Sequence, residues 1–411
     1  MPFEHYVYRR PNGCWEVGHP IAAKAAAKHL GSLGIEPQQV ANILKADLHE
    51  IAHGIECEPT EPASFERDGR RFLNNFVPSA IVPAAGGWAR IRNIMQVITE
   101  QDTKGFEWLF NWMAAKVQNP GARSLTAPVF QGLQGTGKST LGVILGHIIG
   151  IENTASITQD DLDAAFNLHY VTKLLVLADE VVNRDNIRST ESKLKKFITD
   201  PQIIANGKNT PQFPVKNHMS WWFTSNVSTP VRVEGEHDRR YTVFCCSTPP
   251  STEYKAMLKG LYLPTREFTP EALVEIGAFA DALMNHVVDL DLATRPFQNA
   301  ARAELAAASR SSTEAFFEEV AALGIDVLII EARQADPSPT SNAWDYKDQG
   351  VTVDGVYEAY RHFAAENGFN ALVAKQTLGK DLRMRHPKWL KTRSPTGSRP
   401  YVYQGLPRSS K

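Results

Sequence analysis

The chain has 411 residues, of which 43% are hydrophobic, and its 44 lysines and arginines nearly balance its 45 aspartates and glutamates. That content is sufficient for a large core and for two or three domains. The near-neutral charge gives no sign that the whole surface is adapted to bind a polyanion. No apolar run approaches the roughly 18 residues of a membrane-spanning helix, and the 4 cysteines lack the spacing of a zinc cluster or of a disulfide framework.

Residues 1–85 are predicted to form an N-terminal accessory or oligomerisation region of mixed structure. Apolar residues at helical spacing predict an amphipathic helix from Val40 to Ile55. This helix contains His49-Glu50-Ile51-Ala52-His53, which spells the H-E-x-x-H pattern of zinc proteases. Because no third ligand stands at a recognisable spacing, we interpret His49 and His53 as part of a solvated polar face and expect no metal at this pair.

Residues 86–300 are predicted to form an α/β domain. Phe106–Val117 is typical of a buried helix, and the breaker Asn119-Pro120-Gly121 ends it. Further along, short apolar runs alternate with helical patterns, which is the signature of a parallel sheet with helices on both faces. A further helix is predicted over Glu271–Asp289. The candidate strands are Ala127–Gln131, Leu174–Ala178, Met219–Thr224 and Tyr241–Cys245.

Directly after the first candidate strand, Gly132–Thr140 fits the P-loop template G-x-x-x-x-G-K-[S/T] at every fixed position. Glycines let backbone N–H groups approach phosphate oxygens, and the apolar run that follows predicts a helix whose N-terminus faces the phosphates. Lys138 has the reach to contact the β- and γ-phosphates, and Ser139 can place its hydroxyl on Mg²⁺. The expected class is therefore a nucleoside triphosphatase with ATP and Mg²⁺ as cofactors. The residues expected to bind the nucleotide are Gly132, Gln134, Gly135, Thr136, Gly137, Lys138, Ser139 and Thr140.

Polar residues follow the next two candidate strands. One strand ends in Asp179-Glu180, the Walker B arrangement, in which Asp179 would hold Mg²⁺ together with Ser139, and Glu180 would orient and deprotonate the attacking water. The other ends near Asn226, a candidate sensor that would hydrogen-bond the γ-phosphate or the attacking water. The alternatives are a core strand with a solvated acidic tip and a plain Ser-Asn turn.

The stretch Asp238-Arg239-Arg240-Tyr241 leads into the last candidate strand. An arginine here could act as a finger that reaches the nucleotide of a neighbouring subunit and neutralises transition-state charge. Spacing does not choose between Arg239 and Arg240, and the alternative is a surface ion pair with a nearby acidic residue. A finger supplied by a neighbour implies a ring or another oligomer.

These motifs together resemble a superfamily 3 helicase of the AAA+ class, and more narrowly the helicase part of the primase-helicases of phages, plasmids and large DNA viruses. The resemblance rests on Trp112–Gly121 leading into the P-loop, on Leu174–Glu180, on Leu194–Asn226 and on Asp238-Arg239-Arg240. It implies an α/β fold with an AAA+ P-loop ATPase core. The match is good over residues 100–250 and looser towards the C-terminus, and residues 1–85 carry no recognisable primase active site.

The resemblance also implies a hairpin, within Leu194–Asn226, whose tip lysine contacts DNA in a central channel. The matching tip is Asn206-Gly207-Lys208-Asn209, so that Lys208 is the best candidate, with Lys216 and Lys195 behind it. Asn-Gly suits a tight hairpin turn, and an exposed lysine can pair with phosphates without reading the base sequence. The alternative is a plain hairpin with a solvated lysine.

Residues 301–342 are predicted to be a helix and a linker. The helix belongs to an alanine-rich pattern that runs from Ala300 to Ala322, and the polar, proline-containing stretch 334–342 has the composition of a linker.

Residues 343–411 are predicted to form a basic DNA-binding domain. Residues 371–411 contain ten lysines and arginines against one acidic residue. Two predicted helices, Val356–Asn367 and Val373–Arg385, precede a basic loop and a short strand, an order that resembles a winged-helix module with the loop as its wing. The alternative is a basic surface or a disordered tail. The residues expected to contact the nucleic-acid backbone are Lys391, Arg393 and Arg399.

We therefore expect an ATP-dependent replicative DNA helicase that translocates on single-stranded DNA as a homo-oligomeric ring, a hexamer, encoded by a phage or mobile element and located in the cytoplasm. The expected partners are single-stranded or forked DNA and a primase or replication-initiation protein, with no membrane. Two alternatives stay open: a DNA-bound initiator or loader ATPase that does not unwind processively, and a DNA-binding regulator whose ATPase is a switch.

Overall fold

The computed structural model describes residues 7–9, 15–17, 54–180, 188–208, 212–227, 229–235, 237–335, 345–346, 350–367, 369, 372–393 and 401–409. The chain divides into two compact units, Met1–Ala306 and Ala307–Lys411. Within the described ranges, no helix is both long enough and apolar enough to cross a bilayer.

The first unit is built around one central sheet, with smaller sheets beside it. Its strands are β1 (Val7–Arg9), β2 (Trp15–Val17), β3 (Gly54–Glu56), β4 (Ser64–Arg67), β5 (Arg70–Asn74), β6 (Ala127–Gly132), β7 (Thr154–Ile157), β8 (Leu175–Ala178), β9 (Gln202–Ala205), β10 (Phe213–Lys216), β11 (Ser220–Ser225) and β12 (Tyr241–Cys246). Its helices are α1 (Ala89–Ile98), α2 (Thr103–Gln118), α3 (Lys138–Ile149), α4 (Gln159–Asp163), α5 (Leu168–Val171), α6 (Arg188–Thr199), α7 (Thr252–Lys259), α8 (Pro270–Met284) and α9 (Leu290–Thr294). Helix α10 (Ala300–Ala308) crosses the boundary to the second unit.

The central sheet has the strand order β12-β6-β11-β8-β7, and all neighbouring strands are parallel. The four strands predicted from the sequence are confirmed, with each end shifted by at most one residue. Strand β7 was not predicted, because it is a short edge strand in which only Ile157 is fully buried. Since the strands are parallel, their carboxyl ends meet at one edge of the sheet, where β11 lies between the P-loop strand β6 and the acidic strand β8.

Apolar side chains cover both faces of this sheet, as is usual for buried parallel strands. Successive side chains of a strand point to opposite faces, so that Trp221-Trp222-Phe223 contributes to both cores. Trp222 packs on Phe130, with ring centroids 4.5 Å apart, in the core formed with α1, α2, α3 and α8. Trp221 stacks on Phe223 at 5.5 Å in the core formed with α6. The run of aromatic residues therefore fixes the polar end of β11 between two layers of helices.

Strands β9 and β10 form an antiparallel hairpin in which Ala205 lies opposite Phe213. This register leaves residues 206–212 as the connection, so the predicted tight Asn-Gly turn is wrong. Asn206 is bonded to Asn167 instead: its N–H donates to Asn167 Oδ1 at 2.7 Å, and its carbonyl accepts the Asn167 N–H at 2.9 Å. This reciprocal pair attaches the hairpin to the loop before α5.

The N-terminal sheet has the strand order β3-β5-β4. Strand β3 begins at Gly54, so the predicted helix from Val40 to Ile55 is wrong at its end. The rest of that helix, with His49 and His53, lies outside the described residues.

The second unit combines helices with a small sheet in the order β13-β14-β16-β15. Its core contains Phe316, Ile329, Tyr360, Leu382 and Tyr403, which come from all of its helices and from the sheet. Its strands are β13 (Asp345–Tyr346), β14 (Gly350–Thr352), β15 (Leu390–Arg393) and β16 (Tyr401–Gln404), and its helices are α11 (Ser312–Leu323), α12 (Ile325–Ala335), α13 (Val353–Glu366) and α14 (Lys375–Arg385).

Two predictions for this part of the chain need correction. The continuous helix from Ala300 to Ala322 is wrong, because Ser311 ends the pattern by capping α11: its hydroxyl accepts the Glu314 N–H at 3.2 Å, and Glu314 accepts the Ser311 N–H at 2.8 Å. The basic loop is shorter than predicted, because Lys391 and Arg393 belong to strand β15.

Candidate functional site

Three glycines give the P-loop its shape. Gly132, Gly135 and Gly137 have φ values of 110°, 75° and 91°, which favour glycine strongly over other residues. A Cβ on Gly132 would lie 2.5 Å from the backbone oxygen of Cys246, and one on Gly137 would lie 2.8 Å from Ile94 Cγ2. The loop therefore requires glycine at both positions for space as well as for conformation.

Lys138 is the first residue of α3 and is almost completely buried. Its Nζ donates to the backbone oxygens of Gly132 at 2.9 Å and of Leu133 at 2.5 Å, so that the ammonium lies within the curve of its own loop. Burial lowers the pKa of Lys138, and the nearby Cys246 and Asp179 oppose that shift. A phosphate bound at the N-terminus of α3 would approach this same ammonium.

Asp179 and Ser139 meet at the carboxyl edge of the sheet. Ser139 Oγ lies 3.4 Å from both carboxylate oxygens of Asp179. Thr224, at the end of the intervening strand β11, also donates its hydroxyl to Asp179 Oδ1. Sequence reasoning missed Thr224, although it belongs to the same polar strand end as Asn226. The three side chains form a cluster of oxygen atoms next to the P-loop.

Glu180 and Asn226 are both exposed beside this cluster. Glu180 has a φ of 53°, and its N–H donates to Asp179 Oδ1 at 3.1 Å. A left-handed conformation at a residue other than glycine costs about 1–3 kcal/mol and commonly marks a functional position. Asn226 follows β11 directly, and among the described contacts none joins its side chain to Asp179.

The remaining P-loop residues lie on the outer side of the loop and in the first turn of α3. Gln134 is exposed, and Thr140 is half-buried. Thr136 is buried; its Oγ1 donates to Leu133 O at 3.1 Å, and its backbone oxygen accepts the hydroxyl of Tyr254 at 2.8 Å. Tyr254 belongs to α7, so this hydrogen bond connects the P-loop to the segment that follows β12.

A cavity of about 450 Å³ opens between α1 and this segment. Tyr254 is part of its lining, and a Cβ on Gly135 would lie 4.0 Å from Pro250 Cγ, so the cavity borders the P-loop directly. Its other lining residues include Asn93, Val97, Thr248 and Met257. The combination of apolar walls with a few polar groups is typical of small-molecule sites.

The two candidate finger arginines differ in their surroundings. Arg240 is buried, and its guanidinium binds Asp238, with Nε 2.9 Å from Oδ1, and Glu234, with a nitrogen 3.1 Å from Oε2. Burial alone would raise the pKa of Asp238, but the hydrogen bonds and charge of Arg240, together with the backbone hydrogen bond from Glu234, outweigh it and lower that pKa. Arg239 is exposed, and it has no ion pair among the residues that the structure describes.

The candidate DNA-binding lysines of the hairpin also differ. Lys208 is exposed just beyond β9, next to the undescribed residues 209–211. Lys216 lies on β10, where its Nζ is 3.1 Å from Oε1 of the buried Glu58. The same oxygen is 3.0 Å from Nε2 of the buried His218, so Lys216 is part of a charge cluster at the hairpin base. Lys195 pairs with Glu234 at 2.6 Å.

The basic candidates of the second unit lie on or beyond strand β15. Lys391 is exposed and lies 4.7 Å from the ring centroid of Tyr401. The backbone of Arg393 is part of β15, and Arg399 lies outside the described residues.

The chain is similar in sequence to a phage replication protein. A model of a family of unknown function, DUF5906, matches residues 130–240, which contain the P-loop, the acidic strand and the arginines. The DNA primase-polymerase of Nitratiruptor phage NrS-1 is 30% identical over 237 residues, which cover 56% of this chain and 32% of that protein. The chain thus spans about a third of the length of this curated relative.

Solved structures of the C-terminal region of the NrS-1 protein have the same fold. One apo structure matches with a TM-score of 0.64 and 20% identity, covering 99% of this chain and 94% of that one. A second, described as the A form, matches with a TM-score of 0.62 and 19% identity, covering 98% and 96%. The match therefore extends over both units of the chain.

Proposed function

We propose that this chain is the ATP-driven motor of a DNA replication system and acts as a ring that translocates on single-stranded DNA. The observation that carries the proposal is the convergence of Lys138, Ser139 and Asp179 at the carboxyl edge of one parallel sheet. Ligands of parallel α/β sheets bind at this edge. An ammonium, a hydroxyl and a carboxylate at a helix N-terminus match the charge distribution of a magnesium–triphosphate complex.

Each group of the site has a role in this proposal. Lys138 and the P-loop N–H groups would hold the β- and γ-phosphates. Ser139 and Asp179 would hold Mg²⁺, with Thr224 fixing the orientation of the carboxylate, since oxygen ligands are those that Mg²⁺ prefers. The ion would neutralise charge on the phosphates. Glu180 would orient and deprotonate the attacking water, and Asn226 would sense the γ-phosphate.

The nucleoside end of ATP would lie in the cavity beside the P-loop. The cavity is contiguous with the loop through Tyr254 and Pro250, and its volume of about 450 Å³ falls within the range usual for small-molecule pockets.

Arg239, and not Arg240, is the arginine that we assign to the neighbouring subunit's nucleotide. Arg240 already binds Asp238 and Glu234, and freeing it would leave the buried Asp238 without its guanidinium partner. Arg239 is exposed and available to a second subunit. A site completed by a neighbouring subunit implies a ring, and we propose that this ring is a hexamer.

Two surfaces would bind DNA. Lys208 at the hairpin would contact the phosphates of the translocated strand. In the second unit, the order β14-β16-β15 with α13 and α14 inserted between β14 and β15 supports a winged-helix module. Lys380, Arg383 and Lys388 are exposed on or after α14, and together with Lys391 they would contact duplex DNA or a fork.

The relative in phage NrS-1 supports a role in replication, because its name describes a DNA primase-polymerase. Synthesis of nucleic acid belongs to that protein and is not proposed for this chain. We propose instead that a primase activity works together with the motor described here.

A strand-displacement assay on forked DNA tests the proposal. We expect the protein to hydrolyse ATP faster with single-stranded DNA and to separate the fork, and we expect Lys138→Ala to abolish both. Negative-stain imaging with a non-hydrolysable ATP analogue and forked DNA should show rings. DNA-stimulated hydrolysis without strand separation would instead favour the initiator or loader, and absence of ATP binding would contradict the proposal.

A further inference from the structure

Helix α1 ends in two consecutive left-handed residues that are not glycine. Glu100 has a φ of 49° and Gln101 a φ of 62°. A helix commonly ends with one left-handed residue, but that residue is usually glycine, because a side chain there costs energy. The backbone bonds of this turn, such as Gln101 N–H to Gln96 O at 2.8 Å, would form equally well with glycine at either position. The backbone therefore does not explain why position 100 carries a glutamate.

The carboxylate of Glu100 holds the turn that follows β12, far away in sequence. Its Oε1 accepts the N–H of Ser247 at 2.5 Å, the hydroxyl of Ser247 at 2.6 Å and the N–H of Thr248 at 3.2 Å. Hydrogen bonds to a charged acceptor are about twice as strong as those between neutral groups. One oxygen atom thus fixes the backbone where the chain leaves the central sheet.

This turn forms one wall of the cavity beside the P-loop. Thr248 and Pro250 line the cavity, and Ser251 follows directly as the N-cap of α7, where its hydroxyl accepts the Tyr254 N–H at 3.1 Å. Tyr254 in turn donates its hydroxyl to Thr136 of the P-loop at 2.8 Å. The position of Glu100 therefore affects both the wall of the cavity and the helix that contacts the P-loop.

We propose that Glu100 is a positioning residue for nucleotide binding. It holds the Ser247–Ser251 turn so that the cavity accepts the nucleoside end of a nucleotide whose phosphates lie on the P-loop. The inference rests on the proposed function. It goes further because it assigns to Glu100, which lies outside all the motifs, an effect on binding of the nucleoside and not of the phosphates. Glu100, Ser247 and Thr248 are all exposed, so their hydrogen bonds contribute little to the core.

Binding of two ligands separates this effect from a general structural one. The affinities of magnesium–ATP and of magnesium–tripolyphosphate, which has no nucleoside, are measured by calorimetry for the wild type, Glu100→Ala and Glu100→Gln. We expect Glu100→Ala to weaken ATP binding about tenfold and to change tripolyphosphate binding by less than about twofold. Glu100→Gln keeps an acceptor oxygen without the charge, and its affinity for ATP should lie between those of the wild type and Glu100→Ala.

Gln101→Gly is the matched control. This substitution relieves the backbone strain at position 101 without removing the carboxylate of Glu100. It should leave the affinity for ATP unchanged and raise the melting temperature. Equal losses for ATP and tripolyphosphate, or unchanged ATP binding in Glu100→Ala, would overturn the inference. If the wild type binds tripolyphosphate as tightly as ATP, the nucleoside subsite is wrong but the phosphate site stands. If it binds neither, the proposed nucleotide site itself is overturned.

Discussion

Thr224 donates its hydroxyl to the carboxylate of Asp179, across the boundary between two neighbouring parallel strands. Asp179 stands one residue beyond the end of its strand, and Phe223 pairs with Ala178, so that Thr224 and Asp179 come next to each other in register. The parallel pairing of β11 with β8 thereby limits the orientations that the carboxylate can take towards Ser139.

Thr224→Val tests this orientation. Valine has the shape of threonine but cannot donate, so we expect ATP hydrolysis to slow by about 10-fold or more, as is usual when a partner of a metal-binding side chain is removed. Steady-state hydrolysis at saturating Mg²⁺ measures the effect. Thr126→Val is the control, because among the described residues the buried Thr126 Oγ1 has no hydrogen-bond partner, and its replacement should be neutral. Equal rates for the wild type and Thr224→Val would remove the orienting role.

Arg239→Ala should lower hydrolysis strongly and leave stability nearly unchanged, because Arg239 is exposed. Loss of an arginine finger commonly reduces the rate by about 10³-fold. The informative measurement mixes Arg239→Ala subunits with Lys138→Ala subunits, each inactive alone. Since one subunit type keeps the P-loop and the other the arginine, mixed rings should regain activity. Mixtures that stay inactive would argue against a finger supplied by a neighbour.

Arg240→Ala should act on stability instead. The substitution leaves Asp238 buried without its guanidinium partner, and we expect a loss of about 3 kcal/mol in the free energy of unfolding. Urea denaturation measures this loss. The double variant that also carries Asp238→Asn should recover part of it, because the stranded charge is then removed. A stable Arg240→Ala protein with impaired hydrolysis would exchange the roles assigned to the two arginines.

Glu58 should make the protein sensitive to acid. Burial alone would raise the pKa of Glu58, but the hydrogen bonds and charges of His218 and then of Lys216 outweigh it and lower that pKa from 4.5 to about 2. The unfolded chain therefore binds more protons than the folded one in this window. The stabilisation is present above pH 4.5 and is lost as the pH falls towards about 2.

Urea midpoints measured across this pH range check the effect. Because one pKa unit corresponds to about 1.4 kcal/mol, the wild type should lose on the order of 3 kcal/mol more than Glu58→Gln between the two ends of the range. Parallel stability curves for the two proteins would show that the cluster of Glu58, His218 and Lys216 does not carry the acid dependence.

Lys208→Ala should abolish strand separation while ATP binding is kept. Lys208 lies on the hairpin and not in the proposed nucleotide site, so the substitution should remove only the proposed contact with DNA phosphates. Unwinding of forked DNA and binding of labelled ATP are measured on the same preparation. Lys259→Ala, a change of another exposed lysine at the end of α7, is the control. Normal unwinding by Lys208→Ala would exclude the hairpin from translocation.

The central sheet could be predicted because its strands are continuous apolar runs, and because glycine spacing identifies a P-loop from local sequence alone. The prediction of Asp179 as a site residue followed from its position directly after one of these apolar runs. Thr224 and Glu100 could not be identified in this way, because their roles depend on hydrogen bonds to residues that only the fold brings near. The choice between Arg239 and Arg240 likewise depends on burial, which adjacent positions in a sequence do not reveal. Nor did the sequence indicate that Asn206 would bind Asn167 in preference to forming a tight turn.

The bond between Asn206 and Asn167 links the two ends of the proposed motor. Asn167 leads directly into α5 and then β8, and β8 ends at Ala178, directly before Asp179. One continuous segment of backbone therefore joins the hairpin attachment to the proposed nucleotide site. Tension applied to Lys208 by a DNA strand would act on this same backbone segment. By thermodynamic reciprocity, any factor by which ATP changes the affinity for DNA through this connection is also the factor by which DNA changes the affinity for ATP.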